Sequence, residues 1–98
     1  MKYANVLSDA IVKSGWTYQQ IIEKCKARGG KFSRSYLSKI CTGTLPPPSD
    51  QINKVLADVL SSVASIKYED LAIAKYKEII PREIIELLHQ ENEKRGAV

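Results

Sequence analysis

The sequence predicts an all-α fold, a compact bundle of about five to six helices. Two observations support this prediction. No useful stretch alternates apolar and polar residues as a strand would, whereas apolar residues recur at three- and four-residue spacing through most of the chain. Glycines and prolines interrupt these stretches at helix-length intervals. With 98 residues, of which 44% are apolar, the chain is expected to form one soluble domain.

Glycines close the first two predicted helices. An amphipathic pattern predicts the first over residues 3–14, with Gly15 after its last turn. Thr17 is the expected N-cap of the second helix, about 17–28, which stops at the Gly29–Gly30 pair.

The third predicted helix, residues 33–42, has two opposed faces. At about 100° per residue, one arc of roughly 140° is polar; its members are Arg34, Ser35, Ser38, Lys39 and Thr42. The opposite arc contains Tyr36, Leu37, Ile40 and Cys41. The polar arc has no acidic residue, and its side chains are donors that bases and phosphates accept. With Ser33 as cap and Gly43 as terminator, a recognition helix is the leading interpretation.

The second half of the chain predicts three more helices. The prolines at 46–48 form a stiff connector, and Ser49 caps a fourth helix. Its apolar stripe, expected to be the spine of the core, consists of Ile52, Val55, Leu56, Val59, Leu60 and Val63. Serines 61, 62 and 65 predict a loosening before a fifth helix at about 68–77. Pro81 suits the first turn of a sixth, whose apolar residues are Ile84, Ile85, Leu87 and Leu88, and the tail from Glu91 is expected to fray.

Positive charge is concentrated around the third helix. Residues 1–60 carry nine Lys and Arg against four Asp and Glu, whereas residues 61–98 carry six against seven. Between Lys13 and Lys39, seven basic residues are opposed by Glu23 alone. This distribution is typical of a surface that binds a polyanion, and a merely solvated basic face is the alternative.

Composition argues against several classes of protein. No apolar run approaches the roughly 20 residues of a membrane span, and no signal-peptide core is found, so a cytoplasmic protein is expected. Cys25 and Cys41 are isolated thiols, and the one histidine, His89, is expected at an exposed helix end. These residues favour packing of the thiols over a disulfide or a zinc site. No catalytic constellation, cofactor motif or metal-ligand cluster is recognisable, so an enzyme is the least favoured class.

An ordered set of short motifs resembles the XRE family of phage repressor and Cro-like helix-turn-helix regulators. The motifs are Trp16-Thr17-Tyr18-Gln19-Gln20-Ile21-Ile22, Ser33-Arg34-Ser35-Tyr36-Leu37-Ser38-Lys39-Ile40, Gly43 and Pro48-Ser49. They span about residues 5–60. The resemblance implies that the second helix crosses the DNA backbone while the third lies in the major groove.

The resemblance also assigns expected roles to individual residues. Contacts to base edges are implied for Arg34, Ser35, Ser38 and Lys39. The resemblance implies phosphate contacts for Thr17, Tyr18, Gln19, Thr42 and Thr44. Arg28, Lys31 and Tyr36 are also expected to contact phosphate, although the resemblance does not itself assign them. Tyr18 also lies on the apolar stripe of its helix, so packing is the alternative for this residue.

The turn between the second and third helices departs from the compact family pattern. Five extra residues separate Cys25 from Leu37, so residues 26–31 must lengthen the helix, enlarge the turn, or both. The chain therefore resembles longer-turn members of the family. Within this turn, Arg28 and Lys31 either reach phosphate or keep the loop solvated.

The leading hypothesis is a bacterial or phage transcriptional repressor that binds a symmetric double-stranded DNA operator as a homodimer. Residues 1–64 would form the DNA-binding domain, and 93–98 a polar tail. Residues 65–92 either pack on the core or form a dimer surface, whose seam would be Ile80, Ile84, Leu87 and Leu88. An alternative is a helix-turn-helix protein-interaction module, such as an antirepressor, an antitoxin or a polymerase-binding factor. A third is that the chain forms the N-terminal part of a longer regulator.

Overall fold

Five α-helices account for most of the residues that the structure describes. The computed structural model describes residues 2–81, 83–84 and 86–87, and the structural statements below concern these residues. The helices are α1 (Tyr3–Ser14), α2 (Tyr18–Lys26), α3 (Arg34–Thr42), α4 (Asp50–Ala64) and α5 (Tyr68–Ile79). No strand occurs in this described part of the chain, and the predicted all-α class is confirmed.

The turn after α2 accounts for the extra residues noted in the sequence. The regular helix ends at Lys26, two residues before the predicted limit, and a tighter turn continues through Arg28. Gly29 then adopts a φ of 87°, which closes the helix as a left-handed C-terminal residue. The Gly30 N–H donates to the Cys25 carbonyl at 2.9 Å. The five extra residues are therefore accommodated in two ways: the end of α2 continues as a tighter turn, and the loop before α3 is longer.

Two predictions about α4 are wrong. The helix does not loosen at Ser61 and Ser62, because their hydroxyls donate to carbonyls one turn earlier and leave the helix intact. It ends where Ser65 takes a φ of 50°. Val63, expected in the core spine, is 43% exposed. The apolar stripe thus continues one turn beyond the point at which neighbouring helices cover it.

The sixth predicted helix is described only in part. Glu83, Ile84, Glu86 and Leu87 are helical, and the Ile84 N–H donates to the Pro81 carbonyl at 3.0 Å. Ile85, Leu88, His89 and the predicted polar tail lie outside the described residues.

The core is built around α1 and α4. α1 packs against α3, α4 and α5, and α4 packs against α2 and α5. The largest fully buried apolar side chains are Tyr3, Leu7, Ile21, Leu37, Ile40, Leu56, Leu60 and Leu71. Cys25 and Cys41 are buried and unpaired, as predicted. Since Leu71 is fully buried, α5 contributes to this core.

Hydrogen bonds between distant residues connect the helices. The Tyr3 hydroxyl donates to Asn53 Oδ1 at 2.6 Å, which joins α1 to α4 inside the core. The Glu78 carboxylate accepts from the Tyr3 N–H and so caps the start of α1, where Lys2 supplies no side-chain cap. A carboxylate is favourable there because a helix N-terminus carries partial positive charge.

An ion pair joins the start of α4 to α5. Lys75 Nζ lies 2.8 Å from Asp50 Oδ1, and the Tyr76 hydroxyl also donates to this carboxylate. The Lys75 side chain is only 10% exposed, so Asp50 compensates a largely desolvated ammonium group. These hydrogen bonds hold the pKa of Asp50 below its usual value.

No helix in the described ranges is both long and apolar enough to cross a membrane.

Candidate nucleic-acid interface

α3 is a short helix with a defined start and a defined end. The Ser33 side chain accepts from the Tyr36 N–H at 3.0 Å and caps the first turn. Gly43, at a φ of 80°, closes the last turn, and the Lys39 carbonyl accepts from the N–H groups of Gly43 and Thr44. Both ends are therefore fixed by the residues that the sequence indicated.

The inner face of α3 anchors the helix to the core. Leu37, Ile40 and Cys41 are buried, as the sequence predicts. The Ser8 hydroxyl of α1 donates to the Cys41 carbonyl at 2.7 Å. This bond links α3 to a helix that belongs to the core, so packing and a hydrogen bond together fix how α3 is presented.

The outer face of α3 is polar and accessible. Arg34, Ser35, Lys39 and Thr42 are exposed, and Ser38, which lies within the same arc, is half-buried. Among the described residues, the side chains of Arg34 and Lys39 have no hydrogen-bond or ion-pair partner. An approaching phosphate or base edge would therefore displace water from these cations without breaking an internal salt bridge.

The start of α2 contains three of the predicted phosphate-contacting residues, Thr17, Tyr18 and Gln19. Thr17 and Gln20 form a capping box, in which the Gln20 N–H donates to Thr17 Oγ1 at 3.2 Å and the Thr17 N–H donates to Gln20 Oε1 at 2.8 Å. Gln19 is exposed, and its Nε2 lies 3.5 Å from Glu23 Oε1. The exposed start of α2 is a favourable place for a phosphate because a helix N-terminus carries partial positive charge.

Tyr18 and Tyr36 both occupy the borders of the apolar core. Tyr18 is half-buried and packs against it. Burial, followed by the nearby Cys41 thiol, raises the pKa of the Tyr18 phenol. The Tyr36 ring packs at a tilt on Phe32, with 6.1 Å between centroids. Each tyrosine therefore packs partly against the apolar core, and each is also partly exposed.

The basic residues before α3 lie on different flanks of α2. Arg28 and Lys31 are exposed, and Lys31 joins Lys26 at the rim of a cleft of about 450 Å³ whose walls include Ile22 and Phe32. Lys24 lies instead over the Trp16 ring, 4.5 Å from its centroid. Helical periodicity places Lys24 and Lys26 on opposite sides of α2. The basic residues of α2 and of the turn therefore divide into two pairs, Lys24 with Arg28 beside Trp16 and Lys26 with Lys31 beside Phe32.

The loop after α3 brings two further predicted residues together. Thr42 and Thr44 are exposed, and their hydroxyl oxygens lie 2.9 Å apart. The pair extends the row of hydroxyl groups on α3 into the loop that follows the helix.

The predicted dimer seam is only partly represented. Ile80 is half-buried, whereas Ile84 and Leu87 are exposed, and Leu88 lies outside the described residues. Sequence reasoning missed a second set of exposed apolar side chains on α5, namely Ile73, Tyr76 and Ile79. They were missed because α5 has a weakly segregated pattern, in which apolar residues occur on both faces.

Comparison of this chain with protein-family models, curated proteins and solved structures finds no match. Among the described residues, no three His, Cys, Asp or Glu side chains come together as a metal site requires.

Proposed function

We propose that this protein is a sequence-specific double-stranded DNA-binding regulator, a bacterial or phage repressor of the helix-turn-helix type. The observation that carries the proposal is the outer face of α3, where Arg34, Ser35 and Lys39 are exposed and no acidic residue interrupts them. A helix of this size fits the major groove, and these side chains are donors for base edges and phosphates. Repression would follow from occlusion of a promoter by the bound protein.

Base recognition is assigned to the outer face of α3. Arg34 and Lys39 can donate to O6 and N7 of guanine. The shorter side chains of Ser35 and Ser38 can form hydrogen bonds with base edges that lie nearer to the helix. Because Leu37 and Ile40 hold the opposite face in the core, these donors are presented by a fixed helix. A fixed helix loses little conformational entropy on binding.

Backbone contacts are assigned to the surroundings of α3. Thr17 and Gln19 at the start of α2, Arg28 and Lys31 in the turn, and the Thr42–Thr44 edge are all exposed. Phosphate contacts of this kind set the register of a protein on the duplex, whereas base contacts read its sequence.

Selection from random duplexes, followed by binding titrations, tests the proposal. We expect the recovered duplex to bind with an affinity that falls steeply with salt concentration. Arg34→Ala and Lys39→Ala should each remove about 1–3 kcal/mol of discrimination between this duplex and random DNA. Lys54→Ala, which removes one exposed charge from α4, is the matched control and should leave discrimination unchanged.

Two results would contradict the proposal. One is that no duplex is enriched by the selection. The other is that the Arg34→Ala/Lys39→Ala double variant binds the enriched duplex as the wild type does. Either would favour the alternative of a protein-interaction module.

A further inference from the structure

A cleft of about 330 Å³ lies between α2 and the second half of α4. Its walls come from the chain between Trp16 and Arg28 and from α4, and α3 contributes none of the lining residues. These residues are Trp16, Lys24, Ala27, Arg28, Val59 and Ser62. The volume is near the lower end of the range for ligand sites, which is about 300–1,000 Å³, so the cleft fits a few side chains of a partner.

The cleft carries two positive charges that the protein does not compensate. Lys24 Nζ lies 4.5 Å from the centroid of the Trp16 ring, and this cation–π contact holds the ammonium group at the cleft. Arg28 is exposed and lines the same cleft. Neither cation has an ion-pair partner among the described residues, and no Asp or Glu among them belongs to the lining. Two carboxylates would therefore complement this surface without displacing an internal salt bridge.

An aromatic surface accompanies the two cations. Trp16 is half-buried and packs against the apolar core, so its ring is held in place while part of it stays accessible. Val59, which is only 2% exposed, adds an apolar residue to the lining. Tryptophan and arginine are among the residues most enriched at the energetic centres of protein interfaces. The cleft can thus cover an apolar side chain while its cations meet neighbouring carboxylates.

The position of the cleft favours a protein segment over the DNA backbone. Helical periodicity places Lys24 about 140° around α2 from Gln19, a residue assigned to phosphate, whereas Lys26 lies within about 20° of Gln19. A phosphate would satisfy the cations but would leave the Trp16 ring without an apolar partner. Arg28 is common to both surfaces, since the proposed function also assigns it to phosphate.

We infer that this cleft binds an acidic segment of another protein. Two carboxylates of the segment pair with Lys24 and Arg28, and an apolar side chain next to them packs on Trp16. This binding is an activity additional to the proposed recognition of DNA, and it does not rest on that proposal.

Selection from a phage-displayed library of random peptides on the full chain, followed by fluorescence anisotropy of a labelled enriched peptide, tests the inference. The enriched peptides should combine Asp or Glu residues with a neighbouring aromatic residue or Leu. Lys24→Glu should raise the peptide Kd about tenfold or more, because an attractive pair becomes repulsive. Lys26→Glu is the matched control, since it changes the net charge equally on the opposite side of α2. Its Kd should stay within about twofold of the wild type at physiological salt, which screens exposed charges beyond about 8 Å.

A second pair of variants tests the wall that α4 supplies. Ser62→Glu places a carboxylate in the cleft and should raise the peptide Kd about tenfold. Ser61→Glu, at a position that does not line the cleft, should leave the Kd unchanged. The comparison is matched, because both serine hydroxyls donate to a carbonyl one turn earlier and both substitutions lose that bond.

Three results would overturn the inference. The first is that no acidic peptide is enriched. The second is that Lys26→Glu weakens peptide binding as much as Lys24→Glu does. The third is that peptide binding is absent while Lys24→Glu lowers the affinity for duplex DNA more than Lys26→Glu does, which would assign the cleft to phosphate. Because the peptide selection contains no DNA, its failure is distinguishable from failure of the duplex selection.

Discussion

Gly30 shows how one residue without a side chain sets the path of the turn before α3. The residue is buried, and a Cβ placed there would lie 2.9 Å from Val55 Cγ1 and 3.2 Å from Val55 Cβ. Valine is stiff at χ1, so it cannot easily move aside. The turn therefore approaches α4 as closely as its backbone allows.

Gly30→Ala should accordingly destabilise the protein by about 1–3 kcal/mol, the usual cost of overpacking. The cost should fall to about 1 kcal/mol or less in a Val55→Ala background, because the closest contact, with Val55 Cγ1, is removed while the 3.2 Å contact with Cβ remains. Urea denaturation of the four proteins measures this coupling. Gly15→Ala is the control: its Cβ meets nothing within 4 Å, so any penalty comes from its φ of 72° and should be equal in both backgrounds. A Gly30→Ala cost that is independent of Val55 would contradict the proposed contact.

At the scale of the element, a substitution at the N-cap of α3 should weaken DNA binding without lowering thermal stability. Ser33→Asp preserves the capping acceptor for the Tyr36 N–H and adds a negative charge where the helix dipole favours it. Thermal stability should be unchanged or slightly higher. Operator affinity should fall about tenfold or more, because the new carboxylate lies beside Arg34 and repels phosphate.

Ser49→Asp makes the same substitution at the N-cap of α4 and serves as the control for this experiment. It should preserve both stability and operator affinity, as measured by thermal melts and fluorescence anisotropy. Equal losses of affinity in the two variants would mean that α3 has no special place in binding. A large loss of stability in Ser33→Asp alone would mean that the cap is not as the structure has it.

The elements that sequence could predict are those specified locally. Thr17, Ser33 and Ser49 cap the helices that they were expected to cap, and Gly15 and Gly43 end theirs. Each such signal acts within one turn, so neighbouring residues suffice to read it. The two faces of α3 were predictable for the same reason, since periodicity and burial agree there.

The features that sequence could not predict depend on residues far apart in the chain. Ser8 meets Cys41 across 33 residues, Tyr3 meets Asn53 across 50, and Glu78 meets Tyr3 across 75. No local pattern marks such pairs. The continuity of α4 through Ser61 and Ser62 was missed because a serine hydroxyl bonds equally well to a helical carbonyl and to a turn. DNA contact by the exposed residues of α3 stays a prediction.

At the scale of the whole molecule, the buried thiols and Tyr3 make stability depend on pH at the alkaline end, and the exposed Asp50 carboxylate does so at the acid end. Burial raises the pKa of the Cys25 thiol to about 11, with Arg28 opposing the shift, and burial likewise raises the pKa values of Cys41 and Tyr3. On the acid side, hydrogen bonds from Lys75 and Tyr76 lower the pKa of Asp50.

The raised pKa values reduce the stability of the fold at high pH, and the lowered pKa of Asp50 reduces it at low pH. A group whose pKa is raised in the folded state contributes stability below its unfolded pKa and loses it as pH rises through the folded pKa. Stability should therefore decline above pH 8.5, roughly the pKa of an unfolded thiol. Asp50 contributes above its unfolded pKa of about 3.9, and that contribution should be lost as pH falls below this value.

Urea midpoints measured across this pH range, with reductant present, should show a plateau between the two declines. The Cys25→Ala/Cys41→Ala double variant should be less stable at pH 7, because two buried side chains are truncated, but its alkaline decline should be shallower. Asp50→Asn should in turn flatten the acid decline, and because the Asp50 carboxylate also raises the pKa of the Tyr76 phenol, it should make the alkaline decline slightly shallower. If the thiol variant declined as steeply as the wild type above pH 9, ionisation of the buried thiols would not be the cause, and the alkaline loss would have to come from the tyrosines.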